Sequence, residues 1–192
     1  AVGDITVTNG SLSNFASTGN GLEYTATFTP SADGNCTINV SENKFNDAAG
    51  NGNTASAQFT WLFDSTRPSM TITAAEVASG EPSNDATLSL TFTSSEVTSD
   101  FAVGDITVTN GSLSNFASTS STVYTATFTP SADGNCTISV AENTFNDTAG
   151  NGNTASAQFT WLFDTSRPSM TITASQVASG ATSNDATLSL TF

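Results

Sequence analysis

Acidic side chains carry most of the chemistry open to this 192-residue chain, which has 17 Asp and Glu, 3 Lys and Arg, and no histidine. The lack of histidine excludes Ser-His and Cys-His nucleophiles and imidazole metal ligands. Clustered carboxylates could still bind calcium, which takes about six to eight oxygen ligands, or hydrolyse glycosides as a pair. The acids lie in turn-like segments that recur along the chain, which favours a structural role, and we do not expect an enzyme.

The formal net charge of -14 limits the partners. So few cations cannot neutralise phosphates or dock on anionic lipid, so we expect no nucleic acid partner and no membrane insertion. No apolar run approaches the roughly 18 residues that span a bilayer, and the first residues, AVGDITVTNG, carry no basic signal-peptide region. If the protein is exported, we expect its signal to lie outside this segment.

The sequence repeats with a period of about 100 residues. Residues 1–15 recur at 102–116, and residues 67–92 recur at 167–192 with four differences. We therefore predict that residues 1–64 are the C-terminal part (strands C to G) of one unit and that residues 65–164 are a complete unit. Residues 165–192 would be the N-terminal part (strands A and B) of a third unit. Two interpretations remain open: a window on a longer array, or a subunit whose ends meet those of a neighbour.

Short runs in which apolar residues alternate with Thr and Ser indicate strands with one face in water. In the complete unit they lie at residues 70–72, 88–92, 106–108, 124–128, 136–140 and 159–163. Turn-rich stretches separate the runs, and no segment has a sustained helical period. About seven short strands per unit predict an all-β fold of tandem Ig-like Greek-key sandwiches.

Each unit has a single cysteine, Cys36 or Cys136, which therefore cannot form a disulfide within its unit. We predict buried thiols that pack as small apolar groups. Trp61 and Trp161 lie in the last predicted strand of their units, between phenylalanines. We predict that they pack in the core and do not form a sugar-stacking platform.

The stretch SNDATLSLTFTSSEVTSDFAVGDITVTNGSLSNF, followed by YTATFTPSADGNCTISV, resembles the bacterial Ig-like repeats of giant cell-surface adhesins and other extracellular proteins. The resemblance covers the whole chain and includes the D-x-A-G-N loops at 47–51 and 147–151 and the D-x-x-R-P joints at 64–68 and 164–168. Such repeats commonly have Ala-Pro where this chain has Arg67-Pro68. The resemblance implies an extracellular rod but names no ligand.

Strand parity, by which we mean the alternation of strand direction along the chain, predicts where the acidic turns meet. If strands A to G alternate in direction, the B-C and F-G loops lie beside the start of A, and G ends at the opposite end of the unit. In a head-to-tail array the end of one unit then meets these loops of the next. The predicted metal ligands are Asp64, Glu96, Asp100, Asp147 and Asn151, with the repeat equivalents Asp47, Asn51 and Asp164.

Converging carboxylates with no lysine nearby repel one another unless a cation lies between them. We therefore predict Ca²⁺ as a cofactor at the joints between repeats, and the resemblance agrees, because related surface repeats are stiffened by calcium. The alternative is that these acids only cap their own turns, as Asp and Asn often do. Asp33 and Asp133, in SADG turns, are interpreted as turn formers.

Residues 1–64 lack strands A and B, whereas residues 165–192 contain these strands with nothing to pack on. We predict that the strands complete a sandwich of the adjacent repeat or subunit, as donated strands do in strand-complemented fibres. The predicted strand-donation residues are Met170, Ile172, Leu188, Leu190 and Phe192.

Together these features predict an extracellular, cell-surface structural protein: a filament or adhesin stalk of head-to-tail Ig-like repeats. Its partner would be itself, with any host or surface glycan bound at a tip outside this segment. The alternative is a carbohydrate-binding or accessory module of a secreted enzyme. Near-identical consecutive units favour the stalk, because a binding module normally presents a distinctive exposed aromatic patch.

Overall fold

The computed structural model describes residues 1–192, and nearly all of its regular structure is β-strand. Two short 3₁₀ turns, Val2–Asp4 and Val103–Asp105, precede equivalent strands in the two copies of the repeat. The strands are β1 (Ile5–Thr8), β2 (Gly10–Ser17), β3 (Tyr24–Pro30), β4 (Gly34–Val40), β5 (Phe59–Phe63), β6 (Met70–Ala74), β7 (Pro82–Ser83), β8 (Leu88–Ser94), β9 (Ile106–Thr109), β10 (Gly111–Ser118), β11 (Val123–Pro130), β12 (Gly134–Val140), β13 (Phe159–Phe163), β14 (Thr173–Ala174) and β15 (Leu190–Thr191).

Strands β6 to β13 form a complete two-sheet sandwich. One sheet has the antiparallel order β10-β11-β8-β6, and the other has the order β7-β13-β12-β9, in which only β7 and β13 are parallel. This is the division of a constant-type Ig sandwich, with A-B-E-D facing C-F-G. The prediction of an all-β, Ig-like sandwich is confirmed. The extra strand β7 runs in the direction of β6, so the alternation of strand direction is preserved.

Two strands of the sandwich were not among the predicted runs. The alternation in β10 is broken by a bulge between Ser114 and Ala117, where Asn115 has a φ of 53°. A bulge adds a residue to one strand and so shifts the inward face, which hides the period of two. Strand β7 is only two residues long and contains Pro82, which is tolerated at a sheet edge.

The core of the sandwich is apolar and rich in aromatic side chains. Phe101, in the loop after β8, packs its ring 5.0 Å from Tyr124 and 5.2 Å from Phe145. It also contacts Phe92 and Phe116, so one loop residue joins several elements. Each fully buried side chain of this size contributes about 1.5–3 kcal/mol to stability, and this burial fixes the loops that carry the acidic residues.

Both cysteines are buried and free, which confirms the prediction of structural thiols. The Cys136 thiol donates to the carbonyl oxygen of Asn110 at 3.5 Å, and burial raises the pKa of Cys136. Trp161 is buried, with its ring 6.0 Å from that of Phe128, as expected for a core residue. Trp61 is half-buried.

The part of the chain before the sandwich repeats its second half. Strands β1, β4 and β5 form a sheet equivalent to β9, β12 and β13, and β2 and β3 pair as β10 and β11 do. No strands equivalent to β6, β7 and β8 extend these sheets. As a result, Phe59 is 63% exposed, whereas the equivalent Phe159 is 3% exposed.

The part of the chain after the sandwich repeats its first strands. β14 pairs with β15 in the register of β6 and β8, with Thr173 opposite Thr191 as Thr73 is opposite Thr91. The apolar residues of these strands have no second sheet to pack on: Phe192 is 70% exposed, whereas Phe92 is fully buried. The other predicted strand-donation residues, Met170, Ile172, Leu188 and Leu190, are exposed as well.

Candidate metal centre at the joint

Three carboxylates from three segments converge where the first unit meets the sandwich. Asp64 directly follows β5, Glu96 lies in the loop after β8, and Asp147 lies in the loop between β12 and β13. One carboxylate oxygen from each lies within 4.8 Å of the others. Asp147 is buried, and Asp64 and Glu96 are half-buried. The structure therefore brings three of the predicted ligands together.

The loop around Asp147 holds its carboxylate in a fixed orientation. Oδ1 accepts hydrogen bonds of 2.8 Å from the main-chain N–H groups of Ala149 and Asn151, and Oδ2 accepts one of 2.9 Å from the Asn151 side chain. Burial opposes ionisation, but these bonds outweigh it and lower the pKa of Asp147. Asp147 is therefore ionised at neutral pH.

Asn151 connects the two units. Its side-chain nitrogen donates to Asp147 and also to the main-chain carbonyl of Asp64, at 3.1 Å. The predicted ligand Asn151 thus lies at the cluster, where its side-chain nitrogen contacts two of the three residues that supply carboxylates. This contact crosses the joint directly.

The clustered carboxylates repel one another, and Glu96 is the group whose pKa this raises. Burial raises the pKa of Glu96, and the adjoining carboxyls of Asp147, Asp64 and Asp33 raise it further. The ion pairs of the chain, Ala1 with Asp4 and Arg67 with Glu142, involve none of the three clustered residues. A cation would relieve this repulsion, and carboxylate oxygens are the ligands that calcium prefers. The residues therefore fit Ca²⁺.

Asp100 lies outside the cluster and has a different role. Both of its carboxylate oxygens accept from the main-chain N–H of Asn146, at 3.0 and 3.1 Å, and the Asn146 side chain and the Thr98 hydroxyl also donate to it. Burial opposes ionisation, but these donors lower the pKa of Asp100. Asp100 joins the two acidic loops, and its carboxylate is not part of the group of three acids.

The repeat equivalents Asp47 and Asp164 have the local hydrogen bonds of Asp147 and Asp64. Asp47 accepts from the main-chain N–H of Ala49 and Asn51 at 2.9 and 2.8 Å, so its loop has the geometry of the Asp147 loop. The Asn51 side chain donates to it as well. Asp164 accepts from the N–H of Ser166, two residues ahead in the linker. Neither Asp47 nor Asp164 belongs to a group of three acids in the structure.

Asp33 and Asp133 do more than form turns. Asp33 Oδ1 accepts from the N–H and hydroxyl of Ser65, at 2.9 and 2.7 Å, and Oδ2 accepts from the Thr66 hydroxyl at 2.8 Å. The Ser65 hydroxyl is the main cause of the lowered pKa of Asp33. Asp133 holds Thr165 and Ser166 in the same way. The alternation of strand direction places the SADG turn at the same end of the unit as the end of strand G. The contact between this turn and the linker could therefore have been predicted.

Arg67 also has a role that the sequence alone does not indicate. It lies in the linker, and its guanidinium reaches the loops of the sandwich, where Nε donates to the carbonyl of Gly152 at 2.7 Å. Its Nη2 donates to Asn143 Oδ1 at 2.8 Å and to the carbonyl of Asn153 at 2.7 Å. The linker is thus held from both sides, by Asp33 of the first unit and by the sandwich.

The chain belongs to the bacterial Ig-like domain family, whose model matches residues 1–61 and 64–161. Bacterial Ig-like domains are a non-catalytic type and typically occur in extracellular or surface proteins. Among solved structures, the chain is similar to one titled "Structure of Yersinia pseudotuberculosis InvD", with 19% identity and a TM-score of 0.38. That match covers 89% of this chain and 50% of the other, so the chain spans about half the length of the structure it matches.

The search of curated proteins found no significant match. No helix of the structure has both the length and the apolar character needed to cross a membrane.

Proposed function

We propose that this chain is a segment of an extracellular filament or adhesin stalk, built of head-to-tail Ig-like repeats that are linked by calcium at their joints. The observation that carries the proposal is the origin of the three clustered carboxylates. Asp64 belongs to the end of one unit, and Glu96 and Asp147 belong to loops of the next. A cluster shared in this way couples neighbouring units, as a spacer requires.

Calcium would be held by Asp64, Glu96 and Asp147, with the remaining coordination supplied by other oxygens. The ion would supply positive charge between three groups that otherwise repel one another. Because these groups come from both sides of the linker, their common ligand would restrict bending there. The contacts of Asp33 and Asn151 to the linker support this role, since they already limit its motion without a metal.

The exposed sheets of the first unit suggest how such an array continues. In the complete sandwich, the strands of residues 67–92 extend the two sheets that residues 102–163 form, and both sequences recur, at 167–192 and 1–63. We propose that residues 167–192 complete the equivalent sheets of an adjacent repeat or subunit. The strand-donation residues would contribute about 2 kcal/mol each on burial, before the cost of ordering. The equivalent residues of the complete unit support this proposal, because Met70, Leu88 and Phe92 are buried there.

Small-angle scattering of the purified chain, with calcium and then with excess chelator, tests the proposal, and electron microscopy images the same samples. We expect rods about one sandwich wide that lose stiffness when calcium is removed. Compact particles that are indifferent to the chelator would contradict it. Binding of the chain itself to glycans, with no change in stiffness, would favour an accessory module of a secreted enzyme.

A further inference from the structure

The guanidinium of Arg67 occupies a site built from three oxygens of the sandwich. These are Asn143 Oδ1 and the carbonyls of Gly152 and Asn153, and we call them the arginine cradle. Glu142, 3.6 Å from Nη2, adds a negative charge at its edge. A planar guanidinium with donors in a fixed fork suits such a set of acceptors, whereas the lysine ammonium does not match it. The position before Pro68 therefore selects arginine.

The cradle is shaped by the loop itself. Asn153 is fully buried, its Oδ1 accepts from the N–H of Thr144 and Phe145, and its Nδ2 donates to the carbonyl of Ala141. Asn143 has a φ of 57°, which turns its side chain over Gly152. A Cβ on Gly152 would lie 2.6 Å from Asn143 Oδ1, so a side chain at this position would push the Asn143 amide out of the cradle.

The first unit contains the same loop without an arginine. Asn43 has a φ of 58°, its N–H donates to the carbonyl of Asn53 at 2.9 Å, and a Cβ on Gly52 would lie 2.3 Å from Asn43 Oδ1. Asn53 makes the same side-chain bonds as Asn153, to the N–H of Lys44 and Phe45. The acceptors are thus in place before any guanidinium arrives.

The complementary arginine is present at the other end of the chain. Arg167 occupies the position of Arg67 in the next linker, is exposed, and makes no hydrogen bond or ion pair in the structure. The chain has only 3 basic residues, and these two arginines are the basic residues that recur in the repeat. In a chain of net charge -14, a recurring cation at one position is a specific feature.

We propose that Asn43, Gly52 and Asn53 form a guanidinium-binding site whose occupant is Arg167 of a second copy of this chain, and that this contact sets the register of the donated strands. The proposal rests on the strand completion proposed above. Strands that alternate apolar residues with Thr or Ser keep the same faces after a slip of two residues, so this alternation alone does not exclude such a slip. A guanidinium that fits one cradle permits a single alignment.

The register can be read by disulfide trapping. In the complete unit Thr91 lies opposite Thr125, so an incoming Thr191 would lie opposite Thr25, whereas a slip of two residues would bring it opposite Thr27. We expect a chain carrying Thr25→Cys and Thr191→Cys to form intermolecular disulfides, and one carrying Thr27→Cys and Thr191→Cys to form few. Adding Arg167→Ala should increase the out-of-register product several-fold relative to the in-register one.

Sedimentation velocity over a range of concentrations measures the affinity. We expect Arg167→Lys to weaken self-association by about tenfold, as expected for the loss of charged hydrogen bonds. At concentrations where the chain is monomeric the melting temperature should not change, because the Arg167 side chain makes no hydrogen bond or ion pair in its own chain. The matched control, Arg67→Lys, should lower the melting temperature of the complete unit and leave self-association unchanged.

The outcomes separate the two proposals. A wild-type chain that stays monomeric at all concentrations contradicts strand completion between copies. The same result also contradicts the proposed contact of Arg167 with the cradle, because that contact requires a second copy. A wild-type chain that associates, while Arg167→Lys and Arg167→Ala associate equally well and in the same register, overturns the cradle proposal alone.

Discussion

The side-chain nitrogen of Asn151 donates one hydrogen bond to the main-chain carbonyl of Asp64 and another to the carboxylate of Asp147, at 3.1 and 2.9 Å. One amide therefore connects the last residue of the first unit with the loop of the second unit that carries a candidate ligand. An aspartate at position 151 could not donate these bonds and would add charge to a crowded group of acids. The joint thus depends on an amide at the centre of an acidic cluster.

Asp147→Asn should weaken calcium binding at the joint. The substitution keeps the size of the side chain but removes one of three converging charges, so we expect calcium affinity to fall by at least about tenfold. Isothermal titration calorimetry measures this directly. Asp47→Asn is the matched control, because Asp47 has the same loop contacts and no clustered partners, and it should leave the affinity unchanged. Equal affinity in the wild type and Asp147→Asn would contradict the assignment.

Glu96→Gln should stabilise the metal-free protein near neutral pH. Burial, followed by the carboxyls of Asp147 and Asp64, raises the folded-state pKa of Glu96. The folded state therefore holds this proton more tightly than the unfolded state, and stability falls as pH rises from the ordinary glutamate pKa through the raised one. In chelator, the melting temperature of Glu96→Gln should exceed that of the wild type at about pH 7.

This advantage should shrink as pH falls below about 4, where Glu96 is protonated in both states. With calcium the sign should reverse, because the variant lacks a ligand. Glu42→Gln, at an exposed position, is the control and should follow the wild type throughout. A melting temperature of Glu96→Gln equal to that of the wild type at neutral pH, in chelator, would show that the carboxylates do not repel one another.

Asp33→Ala should loosen the linker. Asp33 accepts from Ser65 and Thr66, which lie between the two units, and no other side chain replaces these contacts. Spin labels on the two units should report a broader distance distribution by pulsed electron resonance. Asp133→Ala removes the same contacts from the linker after the sandwich, so it should leave that distribution unchanged. Equal widths in all three proteins would mean that Asp33 does not order the joint.

Phe159→Ala and Phe59→Ala should differ sharply although the two residues have the same neighbours in sequence. Phe159 is buried between complete sheets, so its loss should cost about 3–5 kcal/mol in the free energy of unfolding. Phe59 is mostly exposed, and its loss from the monomer should cost less than about 0.5 kcal/mol. Urea unfolding at low concentration tests this. Similar losses would show that the sheets of the first unit are covered in the monomer.

Much of the fold could be predicted from the period of two, because Leu88, Leu90 and Phe92 face the core at alternate positions. The approach of Asp64, Glu96 and Asp147 could also be predicted, since it follows from strand direction alone. The number of strands could not be predicted fully. The bulge at Asn115 and the two-residue strand β7 depend on contacts made after folding.

The roles of individual side chains within the loops could not be predicted from the sequence either. Asp100 and Asp147 are both acids in loops at the joint. The carboxylate of Asp100 accepts from the N–H of Asn146, whereas the carboxylate of Asp147 lies close to that of Glu96. Only the direction of each side chain distinguishes them. Arg67 was recognised as a departure from the usual Ala-Pro, but its three acceptors are 76 to 86 residues away in sequence.

The parallel pairing of β7 with β13 determines how tension acts on the sandwich. Gly80 donates to the carbonyl of Thr160, Leu162 to that of Glu81 and Asp164 to that of Ser83. A pull on the two ends of the unit drags these strands lengthwise in opposite directions, because the start of one lies beside the start of the other. The hydrogen bonds between them are then loaded together in shear, and they resist extension as a group instead of opening one at a time.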